Sequence, residues 1–571
     1  MLYLCLHPKI YVMKSIFSLL SFSLLFCTAQ AQQLFEANAH TYQIVYGSSN
    51  NGKKLPGNNR SIVFTNNEQT LVTNEKNWRG ESSFPYEFFV VERNALIQHL
   101  YAVTDSGKII SSMDTAAIKN QQIEFLPDTK TILGYTCKKA KTIVNSNTIE
   151  LWYNTDLNLK GAPTILGQQI GLVLEMVRNG NFTLTAEEIK PMPGVHLQAP
   201  LAMAPIAMDL LSYKDEIWKS RFVSIPIFSN QIIHFSDSSI AAPEVMRFAM
   251  GTIAVKKIKL PAMGKGKKIF LELSEQSNGD AYDRTGTVFL IAEDKAQSFL
   301  QGLQNGATTL PLYENGNGKK YYGVAATKNY SPAIELMRFF TPFGIHQYNH
   351  IQLKGKQWQD VVHYRQDISD FAHLLQDKEV YIGVFIGNYD KGGHRINASI
   401  SLHNDEGAAP QKIVPLFNTL NIMEMAGQDY ATMFDREKGL SISFELKEPI
   451  KNAQLRYIST GHGGWGNGDE FVPKVNTILL NGKVVFNMAP WRQDCGSYRL
   501  YNPASGNFSN GLSSSDYSRS NWCPGTVSYP YYIPLGNLQA GKHHIQIKIP
   551  QGKPEGGSFS SWNVSGVIVG E

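Results

Sequence analysis

The chain has 571 residues, a formal charge of +5, and 43% hydrophobic against 18% charged residues. Its length suits about three ordinary domains, and its mild, unclustered positive charge argues against nucleic acid as a partner. Outside the N-terminal leader no stretch approaches the ~18 consecutive apolar residues of a membrane span.

Residues 13–31, MKSIFSLLSFSLLFCTAQA, read as a secretory leader. Lys14 supplies the positive start, an apolar run follows, and Ala29-Gln30-Ala31 forms a small-residue cleavage site. Met13 is the expected initiator, with 1–31 removed and the chain secreted or periplasmic. Cys27 does not suit a lipid anchor, because bulky Phe26 precedes it where a small residue is usual. Three cysteines remain, Cys137, Cys495 and Cys523. In an oxidising compartment Cys495 and Cys523 are expected to pair, closing a loop of about 28 residues worth roughly 3 kcal/mol. Cys137 is left over as a buried thiol that behaves as a small hydrophobe.

Beyond the leader the chain is rich in strand signals. Residues 32–205 form a β-rich N-terminal domain in which Asn179-Gly180 marks a hairpin. The Pro-rich stretch PMPGVHLQAPLAMAPIAM (191–208) cannot pair as a central strand, so residues 206–224 are expected to be a linker. Residues 225–405 carry the short β-branched runs TVFLIAE (287–293) and KEVYIGVFIG (378–387), with short helices expected at 296–304 and 366–376. NDEGAAPQKIVP (404–415) is the second break. Residues 410–571 hold LSISFEL (440–446), HHIQIKI (543–549) and an Asn481-Gly482 hairpin signal. Similar size and strand spacing in these last two segments predict two β-sandwiches side by side.

The chemistry-bearing residues cluster in two loops. GDAYDRTGTVFL (279–290) sets Asp283 and Arg284 just before a strand and just after Tyr282. A guanidinium beside Asp283 is expected to keep it ionised; a surface Asp–Arg pair capping the strand is the plainer alternative. Gly461, Gly463, Gly464, Gly466 and Gly468 lead into Asp469 and Glu470. So many glycines allow a ligand close to the backbone, although a flexible acidic loop would look the same. Trp465, Trp491 and Trp522 lie among polar loop residues, where aromatic faces suit either stacking on sugar rings or packing of the loop itself. His346 and His350 have the i, i+4 spacing of a zinc pair. No glutamate follows His346 and TPFGIHQYNHIQL looks like a strand, so no metal site is expected. No nucleophile elbow, P-loop or dinucleotide fingerprint is present.

These residues resemble the bacterial peptide-N-glycosidase F family over about 225–571. The family's aromatic-Asp-Arg motif is matched by Tyr282-Asp283-Arg284, with tyrosine in place of tryptophan. Its Arg-Phe-x-Thr-Pro-aromatic segment is matched by Arg338 to Phe343. Its glutamate after a Gly-rich loop, eight residues before a strand isoleucine, falls on Glu470 and Ile478. Its Arg-x-x-Trp-Cys-Pro-Gly motif is Arg519 to Gly525, with Cys523 bonded to the position of Cys495. A second family glutamate is missing: Gly387 occupies its place in Ile386-Gly387-Asn388-Tyr389, while Tyr389 keeps an aromatic. The family's loop tryptophan falls on His462, or on Trp465 if the loop is shorter. Two other family disulfides are absent. The N-terminal domain resembles, more loosely, a β-rich secreted family with a Gly-Leu-Pro-Gly-Leu-Ile-like segment, here Leu166 to Glu175 after the Leu151-Trp152-Tyr153 strand.

The resemblance implies an all-β protein of two adjacent eight-stranded antiparallel jelly-roll sandwiches behind an accessory domain. It implies a secreted amidase that cleaves the asparagine–N-acetylglucosamine bond of N-linked glycoproteins or glycopeptides, as a monomer, without metal or cofactor, and without nucleic acid or membrane as partner. Asp283 and Glu470 would be the catalytic acids, with Arg284 holding Asp283 ionised. Tyr282, Arg284, Tyr389, His462, Trp465, Arg519 and Trp522 would bind substrate. Gly387 implies weaker turnover or a narrower glycan range than is usual in the family. The alternative is a glycan- or glycoprotein-binding protein on the same scaffold.

Overall fold

The computed structural model describes residues 35, 37–55, 60–105, 108–192, 204–236, 244–262, 268–348, 354–403, 411–420, 433–463, 468–503, 513–553 and 560–571. The leader, and most of the Pro-rich stretch, lie outside the described residues. The chain divides into two units, up to Arg221 and from Phe222 onward.

In the first unit the described residues build one thirteen-stranded sheet. Its first long strand, Tyr42–Asn50, pairs antiparallel with its last long one, Phe182–Pro191. The remaining strands therefore spread in two arms from this closing pair. Asn179 and Gly180 both adopt positive φ at the turn between Leu172–Arg178 and Phe182–Pro191, as the Asn-Gly signal requires. Cys137 is a buried free thiol in this sheet, packed with Ile44, Leu172 and Leu174. The expected linker is corrected here. Ile206–Ala207 pairs in parallel with Lys108–Asp114, and Leu210–Ser220 is a helix. Asp209 caps that helix by accepting from the Leu211 and Ser212 amides, and Tyr213 and Ile217, four apart, bury against Ala102 and Ile110. A capped helix with one apolar stripe thus begins directly behind the short strand Ile206–Ala207.

The second unit holds two sandwiches. Around the first core pack a four-stranded and a six-stranded sheet. Around the second pack two four-stranded sheets, one of which contains the hairpin closed by the two-residue turn Asn481-Gly482. The first sandwich thus exceeds the eight strands expected, partly because its sixth-place strand, Val527–Ser528, is borrowed from the C-terminal segment and pairs with Ile334–Phe340. The helix Phe299–Asn305 overlaps the first stretch where a short helix was expected, and Ala372–Leu375 falls within the second. The segment read as strand-like around His346 instead forms a helical turn, Ile345–Tyr348; His350 lies outside the described residues. Among the described residues there is no metal-ligating cluster, and no helix long and apolar enough to cross a membrane.

The C-terminal strand Ser561–Gly570 joins the two cores. Trp562, Val564 and Ile568 face the second core, while Val567 and Val569 face the first. A strand buried on both faces reads as a nearly continuous apolar run, and its period of two distributes the residues between the cores. A buried ion pair on the strand Ile334–Phe340 reaches across the same seam through its other hydrogen bonds. Arg338 binds Glu335 through Nε (3.0 Å) and Nη2 (2.7 Å), and its Nη1 donates to the Asn563 carbonyl (2.6 Å) and Thr460 Oγ1 (3.1 Å). Glu335 also accepts from Thr287 and Ser565, and Arg456 caps the Glu335 and Leu336 carbonyls. Breaking such a pair from one side leaves a buried charge uncompensated. Arg338→Ala is expected to cost about 3–5 kcal/mol, read as a lowered urea midpoint at pH 7. An unchanged midpoint would refute a structural role for the pair.

Candidate active site

Asp283 and Glu470 come from different sandwiches and meet at one guanidinium. Asp283 sits in the short connection leading into the strand Thr285–Ile291. That connection is anchored by backbone bonds from Thr341 N to Arg284 O (2.9 Å) and from Gly344 N to Ala281 O (3.1 Å). Glu470 follows the Gly-rich segment after the strand Ile450–His462, with its amide 3.3 Å from the Gly463 carbonyl. Arg519 Nη1 lies 3.1 Å from Asp283 Oδ2 and also hydrogen-bonds Glu470 Oε1. Two contacts to one nitrogen keep the two carboxyl groups within about 6 Å of each other.

Arg519 itself is fully buried. Its Nη2 donates to the Ser514 carbonyl (2.6 Å) and hydroxyl (2.9 Å), and its guanidinium lies 4.2 Å over the Trp522 ring. Trp522 is fixed in turn by donating to the Gly461 carbonyl (3.0 Å) and by stacking on Phe340 at 4.3 Å. The Cys495–Cys523 disulfide ties the segment behind Trp522 to the 3₁₀ turn that starts at Cys495.

One cation faces two partly buried acids. Burial, opposed by Arg519, raises the Asp283 carboxyl above its ordinary range. Burial together with the Asp283 charge, again opposed by Arg519, pushes Glu470 up to about 7. Asp283 Oδ2 is buried and lies within ion-pair distance of Arg519, yet among the described residues no donor is aligned with it as a hydrogen bond. Near neutral pH the pair therefore holds a proton that one of its members can give up while the other accepts one.

Several expectations change. Arg284 does not hold Asp283. Asp280, four residues earlier, takes both its Nε (2.6 Å) and Nη2 (3.0 Å), so the guanidinium acts on Asp283 only at long range. Asp280 is held in turn by His394, which is fully buried between Glu275 (2.8 Å) and Asp280 (3.3 Å). Burial alone would lower the His394 pKa, but its two carboxylate partners raise it to about 9. Arg519 and Trp522 are too buried to offer a face to a sugar; they shape the pair from behind. Of the adjacent acids only Glu470 faces the pair. Asp469 points inward, accepting from Trp562 Nε1 (2.7 Å) and the Gly552 amide, with no exposure.

Among the remaining candidates, Tyr282 and Tyr389 are more than half exposed. Tyr282 covers Arg284, and Tyr389 follows Gly387, whose amide donates to the Thr285 carbonyl (3.0 Å) two residues beyond Asp283. His462 stacks on Phe340 beside Trp522. Trp465 lies outside the described residues. Sequence reasoning passed over Asp280, Glu275, His394 and Ser514. Asp280 had one visible signal, its i, i+4 spacing to Arg284.

Three family models match the chain. The first half of the second unit, residues 224–402, matches peptide-N-glycosidase F, N terminal, and residues 429–569 match its C terminal. The structure of PNGF-II in one crystal form is 53% identical, with a TM-score of 0.88 over 93% of this chain and 99% of that one. The chain belongs to the peptide-N-glycosidase F family. A second crystal form of PNGF-II gives a TM-score of 0.83 at 53% identity, over 93% and 98% of the two chains. PNGase F from Flavobacterium meningosepticum, described as a glycosylasparaginase, is 16% identical, with a TM-score of 0.41 over 61% of this chain and 96% of that one. No curated protein matches the chain. Residues 44–215 match an N-glycanase peptide, N-terminal domain, so the N-terminal unit, too, is N-glycanase-like.

The charge deficit at the pair has a stability consequence. The folded-state pKa of Glu470, about 7, lies above its ordinary 4.5. Its contribution to stability is thus complete below about 4.5 and is lost as the pH rises through 7. Glu470→Gln removes the surplus charge while keeping an oxygen for Arg519. The variant is expected to gain about 1–3 kcal/mol relative to the parent on going from pH 5 to pH 8. Parallel urea midpoints at the two pH values would contradict a raised pKa.

Proposed function

We propose that this N-glycanase-like chain is a secreted amidase that hydrolyses the bond between asparagine and N-acetylglucosamine in N-linked glycoproteins. The observation that carries the reading is the convergence of Asp283 and Glu470 on the single buried guanidinium of Arg519. Amide hydrolysis must activate water and also protonate a poor amine leaving group, which a singly protonated carboxyl pair can do. Water adds to the side-chain carbonyl carbon of asparagine and yields its proton to the ionised carboxyl. The carbon–nitrogen bond then breaks as the nitrogen takes a proton from the other acid. The products are an aspartate in the peptide and a glycosylamine. Asp283, with its unaligned Oδ2, takes the position at the reacting amide, and Glu470 shares the proton and orients water or the proximal sugar. Tyr282 and Tyr389 offer exposed faces beside the pair for sugar rings.

Asp283→Asn is expected to lower glycan release from a denatured glycoprotein by at least ~10²-fold with the fold unchanged. Peptide mass spectrometry reads the reaction directly, since an amidase leaves aspartate at the former glycosylation site. A glycan-binding protein would leave the glycosylated asparagine intact, and an endoglycosidase would leave a sugar on it. Release by Asp283→Asn at the parent rate rules the assignment out.

Gly387 stands where the family resemblance expects an acid. A Cβ there would lie 3.2 Å from Phe385 Cζ and 3.7 Å from the Thr285 carbonyl, so a side chain fits with a small shift of one ring. Gly387→Glu is expected to raise turnover or widen the range of glycopeptides cleaved, measured on a panel of defined glycans. Identical rates across the panel would count against a role for that position.

A further inference from the structure

His462 is bonded along one edge of its ring only. Its Nε2 lies 2.8 Å from Thr460 Oγ1, whereas Nδ1 makes no hydrogen bond to a described residue. The ring cannot swing freely, because it stacks on Phe340 at 5.8 Å and leans on Trp522 at 5.4 Å.

The direction of the Thr460 bond follows from its other partner. Arg338 Nη1 donates to the same hydroxyl oxygen at 3.1 Å, and a guanidinium has no acceptor to offer in return. Arg338 cannot turn away, since Glu335 and the Asn563 carbonyl hold the rest of its fork. Thr460 is fully buried, and His462 Nε2 is the one acceptor its hydroxyl hydrogen reaches among the described residues. A hydrogen on Nε2 would leave that hydroxyl hydrogen without an acceptor, which buried polar groups avoid. The ring hydrogen therefore sits on Nδ1. The ring is also uncharged: its partial burial, with the nearby charges of Arg338 and Arg519, pushes its pKa down to about 3.

The ring stands close to the groups that hold the carboxylate pair. Gly463, the next residue, accepts from the Glu470 amide, and Trp522, against which the ring rests, carries Arg519 over its face. We infer that His462 is a specificity-determining residue that presents a fixed, neutral Nδ1–H to an oxygen acceptor of the N-acetylglucosamine next to the scissile bond. The Arg338–Thr460 relay sets its tautomer from inside the core. The identity of the sugar rests on the proposed reaction; the tautomer does not. A fixed donor selects by hydrogen-bond complementarity, rejecting a ligand that lacks the acceptor.

Two measurements on the full-length protein test this. In ¹⁵N-histidine-labelled protein, the resonances lost in His462→Phe identify the ring. They are expected to report a neutral Nδ1–H tautomer from pH 5 to pH 8, and a shift towards Nε2–H in Thr460→Val. A wild-type ring protonated at Nε2, or a tautomer indifferent to Thr460→Val, overturns the relay. If His462→Phe does not fold, Thr460→Val identifies the ring instead.

The second measurement is calorimetric binding of free N,N′-diacetylchitobiose. His462→Phe, which keeps the stack but loses the donor, is expected to bind about 10-fold more weakly. His462→Asn, which restores an N–H donor, is expected to recover most of that loss. No disaccharide binding by the wild type, or equal affinities in all three proteins, overturns the sugar assignment. A wild-type protein that binds the disaccharide in this pattern but leaves asparagine unconverted overturns the amidase reading and leaves this one standing.

Discussion

The Arg519 guanidinium, sealed between two carboxylates, is the interaction on which the rest of the second unit depends. Asp283 and Glu470 are delivered by different sandwiches, and either alone would be an awkward, partly buried acid. One cation offsets about one of the two charges, and the remaining deficit keeps a proton in the pair near neutral pH. The aromatic bed beneath Arg519 serves the same end. Trp522 and Phe471 pack against its guanidinium, Ser514 takes two of its hydrogen bonds, and the disulfide at Cys523 holds the segment closed. Arginine suits this place because it stays charged when buried and its planar fork serves several acceptors at once.

A site shared by two sandwiches demands that they keep a fixed register. The Glu335–Arg338 pair, with Arg456, Thr287, Ser565 and Asn563, runs through the seam and ties strands from both sides. Apolar side chains at these places would pack as well or better, since burying charge carries a desolvation penalty. What the network adds is a unique alignment of the strands that end at the site, Ile334–Phe340 and Ile450–His462. Through Thr460 it also fixes the hydrogen on His462, so core alignment and ligand recognition share one set of hydrogen bonds.

A second polar cluster steadies the Asp283 side. His394 bridges Glu275 and Asp280, and Asp280 grips Arg284, pinning the short connection that carries the acid. Glycine matters here for closeness more than for freedom. A Cβ on Gly393 would sit 2.1 Å from the Ile233 carbonyl, and one on Gly461 2.8 Å from Ser520 Cβ, so both backbones approach as only glycine permits.

Local pattern was enough to reveal the strands, because alternation, β-branched runs and Asn-Gly turns act within a few residues. Thr285–Ile291, Glu379–Ile386 and Gly541–Lys548 lie where such runs occur. Motif order along the chain singled out Asp283, Glu470 and Arg519, and Cys495 and Cys523 form the expected bond. Sequence adjacency, however, does not say which way a side chain points. Arg284 neighbours Asp283 yet serves Asp280, while the cation that does meet Asp283 is more than two hundred residues away. Asp469 and Glu470 are adjacent and project to opposite environments, one into the core and one toward the pair. Trp522 sits among polar residues and is nonetheless buried. The chain alone set the elements and supplied the chemical groups. Tertiary structure decided their partners, because charge pairing and burial depend on distance in space, and that distance is fixed only when both sandwiches close on the same seam.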